Sequence, residues 1–273
     1  MRWETGRRGH HVEDRRGRGV PLLAGGVIGT VVLLLLVLFF DVVPRAVVET
    51  DPSGAGDSAP ASPREDDARD FVSIVLADAE DTWRETFRRM NREYRGPGLV
   101  LFTGAAPSAC GLAGAAVGPF YCPREERIYL DLDFFRDLGR RFGAPGDFAQ
   151  AYIIAHEVGH HVQALLGGLR IGERGRGGDT AVSVRHELQA DCFAGIWAHH
   201  ADRTRHLLES GDLDEGLAAA AAVGDDRRER PAQGHVVPES FTHGTPAQRV
   251  RWFTRGFTSG DVARCDTFRA TAL

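Results

Sequence analysis

The chain has 273 residues, of which 42% are hydrophobic and 26% are charged, and its formal net charge at pH 7 is -5. This length and composition predict a globular protein with a buried core, in one large domain or two small ones. The modest acidic charge argues against a nucleic-acid-binding protein, whose electrostatic footprint would be strongly basic.

An apolar segment near the N-terminus is long enough to cross a membrane. Residues 19–40 carry no charge and are mostly apolar, and a helix of about 20 such residues spans the core of a bilayer. A cleaved signal peptide has a shorter apolar region followed by small residues, and a buried core helix is a further alternative. The length of the segment favours an uncleaved transmembrane helix over residues 19–43.

The charges around this segment predict its orientation. Only Arg45 follows the segment closely, whereas six arginines precede it: Arg2, Arg7, Arg8, Arg15, Arg16 and Arg18. The positive-inside rule then predicts a single-pass protein of the cell membrane, with a cytoplasmic tail (residues 1–18) and an extracytoplasmic remainder. Residues 44–67, which are rich in Pro, Ser, Gly, Ala and acidic side chains, read as a flexible linker to a folded domain at 68–273. The oligomeric state stays open.

Four cysteines agree with an oxidising compartment: Cys110, Cys122, Cys192 and Cys265. An even number of cysteines in such a compartment predicts two disulfides, although buried free thiols are an alternative. Because Cys110 and Cys122 bracket a short Gly/Ala-rich loop, the preferred pairs are 110–122 and 192–265.

Hydrophobic spacing and turn residues give the predicted elements in chain order. They are a helix within 70–94, strands at 98–104 and 127–134, an edge strand within 117–122, a helix from Asp147 to Gly167 with Asp147 as its cap, helices near 179–209 and 212–223, and a last helix that begins at Thr245–Pro246. A helix, a small sheet and then several helices indicate an α+β fold in one domain.

The helix near residue 150 carries the motif His156-Glu157-Val158-Gly159-His160. Four helical residues turn through about 400°, so His156 and His160 project from one face and can hold one Zn²⁺, with Glu157 beside the metal's water. His161 points away from this face. Hydrogen-bonded core histidines without a metal are the alternative. Gly159 weakens a helix, and the close approach of another backbone would explain its presence.

A catalytic zinc needs a third protein ligand and an open fourth position. Glu187 and Asp191 lie four residues apart on the next helix, so they face the same way. Glu187 is the preferred third ligand, and Asp191 would then hydrogen-bond a ligand histidine and fix its ring. His186 is the competing third ligand, and an exposed acidic stripe is the alternative for the two carboxylates.

These two helices resemble the gluzincin arrangement, in which His-Glu-x-x-His is followed by Glu-x-x-x-Asp, and in particular the small-domain gluzincins of the membrane-associated zinc endopeptidases. The whole chain is similar to the bacterial "putative neutral zinc metallopeptidase" family, through MRWETGRRGHHVEDRRG, the single apolar span, AHEVGHHVQ, ELQADCFAGIWA, FTHGT and GDVARCDTF. The resemblance implies a zincin-like catalytic domain, Zn²⁺ as the cofactor, and peptides or proteins as substrates.

The gluzincin relatives also carry a Thr-His-Pro stretch with an arginine six residues after its histidine. This chain has THGTPAQR, in which His243 and Arg249 keep that interval but the proline is displaced to position 246. By resemblance, His243 would approach the metal or its water as a transition-state stabiliser or a competing ligand. A surface histidine before a helix cap is the alternative.

The predicted function is peptide hydrolysis, by an endopeptidase rather than an exopeptidase. Zn²⁺ held by His156, His160 and Glu187 would lower the pKa of its water, from which Glu157 would take a proton as general base. An extended substrate would pair with the edge strand within 117–122. Two alternatives from other classes are a zinc-binding but inactive module that holds a peptide or partner, and a structural extracytoplasmic domain without stoichiometric metal.

Overall fold

A computed structural model describes residues 1–16, 63–114, 118–140, 143–168, 180–223 and 243–273. The predicted span (19–43) and all but the end of the predicted linker (44–67) lie outside these residues. Within the ranges described, no helix is both long and apolar enough to cross a membrane.

The described residues form six α-helices, a four-stranded sheet and a two-stranded hairpin, which confirms the predicted α+β class. The helices are α1 (Pro63–Arg89), α2 (Leu132–Arg140), α3 (Asp147–Leu166), α4 (Thr180–Arg203), α5 (Asp212–Ala222) and α6 (Pro246–Ser259), and a 3₁₀ turn follows at Val262–Cys265. The strands are β1 (Val12–Asp14), β2 (Gly98–Phe102), β3 (Ala105–Ser108), β4 (Gly111–Gly114), β5 (Phe120–Cys122) and β6 (Arg127–Asp131).

The larger sheet has the strand order β1-β2-β6-β5. The pairs β1–β2 and β2–β6 are parallel, while β5 runs antiparallel to β6 at the edge of the sheet, as predicted for this segment. The predicted strand at 127–134 ends earlier, because α2 begins at Leu132. The Asp131 carboxylate accepts a hydrogen bond from the Asp133 amide at 3.0 Å, and such a cap at the end of a strand starts a helix.

Both predicted disulfides are present. Cys110–Cys122 joins the turn of the β3–β4 hairpin to the edge strand β5, and Cys192–Cys265 joins α4 to the 3₁₀ turn. The segment between β2 and β5 was expected to be a loop, and the hairpin within it is a difference from the prediction. Its strands are four residues each and rich in Ala and Gly, so they carry little strand signal.

Helix α3 lies at the centre of the core, packed against α1, α4 and α5. Its predicted end is confirmed, because Gly167 adopts the left-handed conformation and its amide binds the carbonyl of Ala164. Its predicted cap is wrong. The N-cap is Gly146, with φ 116°, which has no side chain to cap the helix, and the Phe148 amide donates to the Glu215 carboxylate at 3.1 Å. Asp147 instead accepts hydrogen bonds from the amino group of Met1 at 2.9 Å.

Residues 1–16, here named the N-terminal arm, belong to the fold. The arm supplies β1, in which Val12 pairs with Leu99 and Asp14 pairs with Leu101. This differs from the predicted division of the chain, in which residues 1–18 formed a separate tail. A strand of three residues, two of them charged, gives no recognisable pattern, and only pairing with a distant strand completes it.

Candidate metal centre

The candidate site lies where α3 crosses α4. A Cβ atom at Gly159 would lie 2.9 Å from the Ala190 carbonyl oxygen and 3.1 Å from the Ala190 Cα atom. A side chain at this position would therefore push the two helices apart. The predicted close approach of another backbone to Gly159 is confirmed, and it brings one face of α3 against the face of α4 that carries Glu187.

Three side chains converge at this crossing. The Nε2 atom of His156 lies 3.2 Å from Glu187 Oε2, and the Nε2 atom of His160 lies 3.4 Å from Glu187 Oε1. One ligand atom from each of the three lies within 4.8 Å of the others. The alternative ligand, His186, is not part of this cluster, and its ring packs edge-on against Phe268 with centroids 4.8 Å apart.

Asp191 orients the first histidine. Its carboxylate is fully buried and accepts a hydrogen bond from His156 Nδ1 at 2.8 Å. Arg249 also donates to this carboxylate, from Nε at 2.8 Å and from Nη2 at 2.7 Å, and the hydroxyl of Tyr152 donates to it as well. Because Asp191 holds the proton on His156 Nδ1, Nε2, which faces Glu187, is the nitrogen left to bind a metal.

Gln163 orients the second histidine. Its Nε2 atom donates to the His186 carbonyl at 2.7 Å, and its Oε1 atom lies 2.9 Å from His160 Nδ1. A carbonyl only accepts hydrogen bonds, so it fixes which end of the Gln163 amide faces it. The other end, Oε1, must then accept a proton from His160 Nδ1. The Nε2 atom of His160, which faces Glu187, is thereby also the nitrogen left to bind a metal.

The electrostatics of the cluster follow from burial and charge. Burial opposes the charge on Glu187, yet His160, His156 and, more weakly, His243 together hold its pKa well below the ordinary value. Burial also opposes protonation of His156, but Asp191 and Glu187 raise the pKa of this ring to about 9. A positive charge between these groups is therefore strongly favoured.

The donor set fits Zn²⁺. Two imidazole nitrogens and a carboxylate are ligands that zinc accepts, and at tetrahedral bond lengths of about 2.05 Å the ligand atoms lie about 3.3 Å apart. The observed separations of 3.2 and 3.4 Å match that spacing. Glu157 adds a second indication, because its Oε2 atom is buried and has no hydrogen-bond partner among the described residues. A buried orphan carboxylate oxygen is costly unless a ligand or water satisfies it.

The remaining predicted residues take distinct positions. His161 lies away from the cluster, where its Nε2 atom donates to the Arg95 carbonyl at 2.7 Å and its Nδ1 atom accepts from the Tyr121 hydroxyl at 3.0 Å. His243 lies close enough to α4 for its charge to act on Glu187. It is not one of the three converging ligands.

A second acidic cluster, formed by Asp147, Asp212 and Glu215, is already satisfied. The amino group of Met1 lies 2.9 Å from Asp147 and 3.3 Å from Asp212. Glu215 accepts a hydrogen bond from the backbone amide of Phe148 at 3.1 Å. This cluster holds a cation of the chain itself and lacks the imidazole donors found at the α3–α4 crossing.

Sequence reasoning missed two residues that orient the histidines, Tyr152 and Gln163. A signal for both existed, since Tyr152 precedes His156 by four residues and Gln163 follows His160 by three, which places them on the same helix face. Arg249 was noticed through the resemblance, but its contact with Asp191 could not be read from the sequence.

A metal-binding His-Glu-x-x-His helix joined by a carboxylate from a second helix defines the site of a zinc-dependent peptidase. The family described as "Putative neutral zinc metallopeptidase" matches residues 1–268, and the chain belongs to this family. Membership implies Zn²⁺ as the cofactor and peptides or proteins as substrates.

Two similar proteins carry names that give no activity. The chain is 45% identical over 286 residues to the uncharacterized protein YpfJ of Escherichia coli (strain K12), covering 98% of this chain and 99% of the relative. It is 42% identical over 217 residues to the uncharacterized protein Rv2575 of Mycobacterium tuberculosis (strain ATCC 25618 / H37Rv), covering 76% of this chain and 74% of the relative. No solved structure matches the chain.

Proposed function

We propose that the chain is a zinc-dependent endopeptidase whose metal is held by His156, His160 and Glu187. The observation that carries the proposal is the convergence of two imidazole Nε2 atoms on one carboxylate, at separations of 3.2 and 3.4 Å, beside the orphan Oε2 of Glu157. The proposal includes a zincin-like catalytic domain, which is supported by the packing of the metal-binding helix against a small mixed sheet.

Glu157 is the proposed general base. Zinc bound in this cluster supplies a water of lowered pKa and a Lewis acid for the scissile carbonyl. The Oε2 atom of Glu157 has no partner among the described residues, so it is available to accept a proton from an attacking water. The same carboxyl group then gives this proton to the leaving amine, as a general base that turns general acid.

Asp191 and Gln163 act as positioning residues. Each accepts the Nδ1 proton of one ligand histidine, at 2.8 and 2.9 Å. Each thereby keeps the ring in the tautomer whose Nε2 lone pair can bind a metal. Arg249 holds Asp191 through two hydrogen bonds, one to each carboxylate oxygen.

His243 is the proposed stabiliser of the developing oxyanion. Its contribution to the lowered pKa of Glu187 supports a position near the cluster. A cationic or hydrogen-bond-donating side chain near the reacting carbonyl lowers the barrier most when charge develops there.

The edge strand β5 is the proposed surface for the substrate. It is the last strand in the order of the four-stranded sheet, and an extended peptide can pair with the edge of a sheet. The hydrogen bond between Tyr121 and His161 ties β5 to α3 at 3.0 Å, one residue after His160. A chain that pairs along an edge can extend in both directions, which supports cleavage at internal bonds.

Membrane attachment through residues 19–43, other than as a single complete crossing, is part of the proposal. Its support is the length and apolar character of the segment.

The proposal is tested by metal content and peptide hydrolysis on purified full-length protein. Glu157→Gln is expected to keep one zinc per chain and to lose hydrolysis, because only the base is removed. Glu187→Ala is expected to lose both. Glu215→Gln, which changes a carboxyl group in the acidic cluster that binds Met1, is the matched control and should keep both.

Each outcome distinguishes the proposal from its rivals. Zinc without hydrolysis of a broad peptide mixture by the unaltered protein would identify a binding module. If the protein contains no zinc after purification without chelators and fails to take up added zinc, the result would support a structural domain without a metal. Zinc retained in Glu187→Ala would refute the ligand assignment.

A further inference from the structure

The N-terminal arm (residues 1–16) contacts the rest of the fold along its whole length. In addition to the β1–β2 pairing, backbone hydrogen bonds join Arg2 to Leu207, Gly9 to Ser73, His11 to Leu99 and Arg15 to Leu101, at 2.8, 3.1, 2.8 and 2.8 Å. These contacts reach α1, β2 and the segment after α4. The arm is therefore an integral part of the fold, and contacts outside β1 also hold it in place.

Side-chain packing makes the arm specific to this surface. The ring of Trp3 packs edge-on against Phe71, with centroids 5.2 Å apart. A Cβ atom at Gly6 would lie 2.3 Å from Ile74 Cγ2, so only glycine fits there. Gly9 is less crowded, since a Cβ atom there would lie 3.1 Å from the Ser73 carbonyl oxygen. Gly6 lets the arm approach α1 more closely than another residue would allow.

The charges of the arm are complementary to those of the surface beneath it. The pairs are Arg2 with Glu209, Arg7 with Asp81, Arg8 with Asp70 and Arg127 with Glu13, at 3.3, 2.9, 3.0 and 2.7 Å. Exposed pairs of this kind add little stability one by one. They do explain why the arm carries basic residues, without requiring that it lie in the cytoplasm.

We infer that the arm and the domain of residues 63–273 lie on the same side of the membrane. A single crossing between Arg16 and Pro63 would put the two in different compartments, so the predicted topology and the contacts of the arm exclude each other. The disulfides Cys110–Cys122 and Cys192–Cys265 indicate that the shared compartment is an oxidising one. Three of the arginines that favoured a cytoplasmic N-terminus, Arg2, Arg7 and Arg8, instead pair with acidic side chains of the domain.

The first test compares the accessibility of two introduced cysteines in the full-length chain. Glu4→Cys places a thiol on the arm and Arg88→Cys places one on α1, and both positions are exposed. Intact spheroplasts are treated with a membrane-impermeant maleimide, before and after lysis. We expect the two thiols to behave alike. If one is labelled in intact cells and the other only after lysis, the inference is overturned.

The second test measures contact directly. A Cβ atom at Gly9 would lie 3.6 Å from Ala77 Cβ, which is within the range of about 3.5–4.5 Å that a disulfide requires. Gly9→Cys with Ala77→Cys is therefore expected to form a cross-link in the full-length chain. Cleavage at a protease site inserted between residues 51 and 60 should then leave the arm attached on a non-reducing gel.

The matched control is Gly9→Cys with Arg88→Cys, in which the second thiol moves along α1 by about 16 Å. This control should release the arm after cleavage. Release of the arm from both pairs, or its retention in both, would overturn the inference. Both measurements are independent of zinc and of hydrolysis, so their outcome does not depend on the proposed function.

Discussion

Replacement of Asp191 by asparagine tests two separate contributions of this side chain, one to the stability of the fold and one to zinc binding. The carboxylate is fully buried and accepts hydrogen bonds from Arg249, Tyr152 and His156. Asp191→Asn keeps the size of the side chain but removes its charge, which leaves the buried guanidinium of Arg249 uncompensated. Breaking a buried ion pair in this way costs about 3–5 kcal/mol of the free energy of unfolding.

The same substitution should weaken zinc binding. His156 loses the carboxylate that accepts its Nδ1 proton, and loss of such a partner costs about 10–100-fold in metal affinity. This corresponds to about 1.4–2.8 kcal/mol of binding free energy. Unfolding is followed by denaturant titration with a chelator present, and zinc affinity by competition with a chromophoric chelator.

A double variant, Asp191→Asn with Arg249→Met, separates the two effects. It removes the uncompensated guanidinium as well, and removal of both partners of a buried pair is often nearly neutral. We therefore expect it to recover about 2 kcal/mol or more of the free energy of unfolding without recovering zinc affinity, since His156 still lacks its carboxylate. Recovery of zinc affinity together with stability would refute the orienting role of Asp191. Unchanged stability in the single variant would refute the burial argument.

Three further predictions concern Gln163, Asp131 and the arm. Gln163→Leu should weaken zinc binding about tenfold, while Gln163→Glu, which keeps an acceptor for His160, should lose less; equal affinities by chelator competition would contradict this. Burial raises the pKa of Asp131, whose Oδ2 atom has no partner among the described residues. The protonated carboxyl group therefore stabilises the fold, and this contribution to stability is lost as pH rises. Asp131→Asn should therefore gain stability relative to the unaltered protein as the pH rises above about 4, the ordinary pKa of an aspartate, and a constant difference in denaturation midpoints would contradict it. Deletion of residues 1–16 should cost about 3 kcal/mol or more by loss of apolar burial, and a synthetic peptide of the arm should restore thermal stability when added in trans.

The candidate metal cluster could be predicted because its residues obey helical periodicity. His156 and His160 on one helix, and Glu187 and Asp191 on another, each lie four residues apart, so each pair shares a face whatever the rest of the fold does. The chemistry of zinc then limits how the two faces can meet. The glycine between the two histidines gave a further clue, because glycine weakens a helix and the close approach of a neighbouring backbone explains its presence.

The arm could not be predicted because its structure depends on residues far along the chain. Val12–Asp14 is too short and too charged to indicate a strand, and it is formed by pairing with Leu99–Leu101. The arginines were interpreted through a statistical rule for membrane topology, which takes no account of ion pairs within a fold. The start of α2 was missed for a related reason, because the alternation of residues 127–134 continues past Asp131, where a side-chain cap changes the backbone.

The Cys192–Cys265 disulfide is connected to the metal-binding cluster through a row of hydrogen bonds. Gln163, which orients His160, donates to Gln189 at 3.1 Å, and Gln189 donates to the Cys265 carbonyl at 2.9 Å. Before this disulfide forms, nothing covalent fixes that carbonyl beside α4. Maturation of the protein should therefore follow an order in time, in which oxidation of this cysteine pair comes first and tight zinc loading comes second.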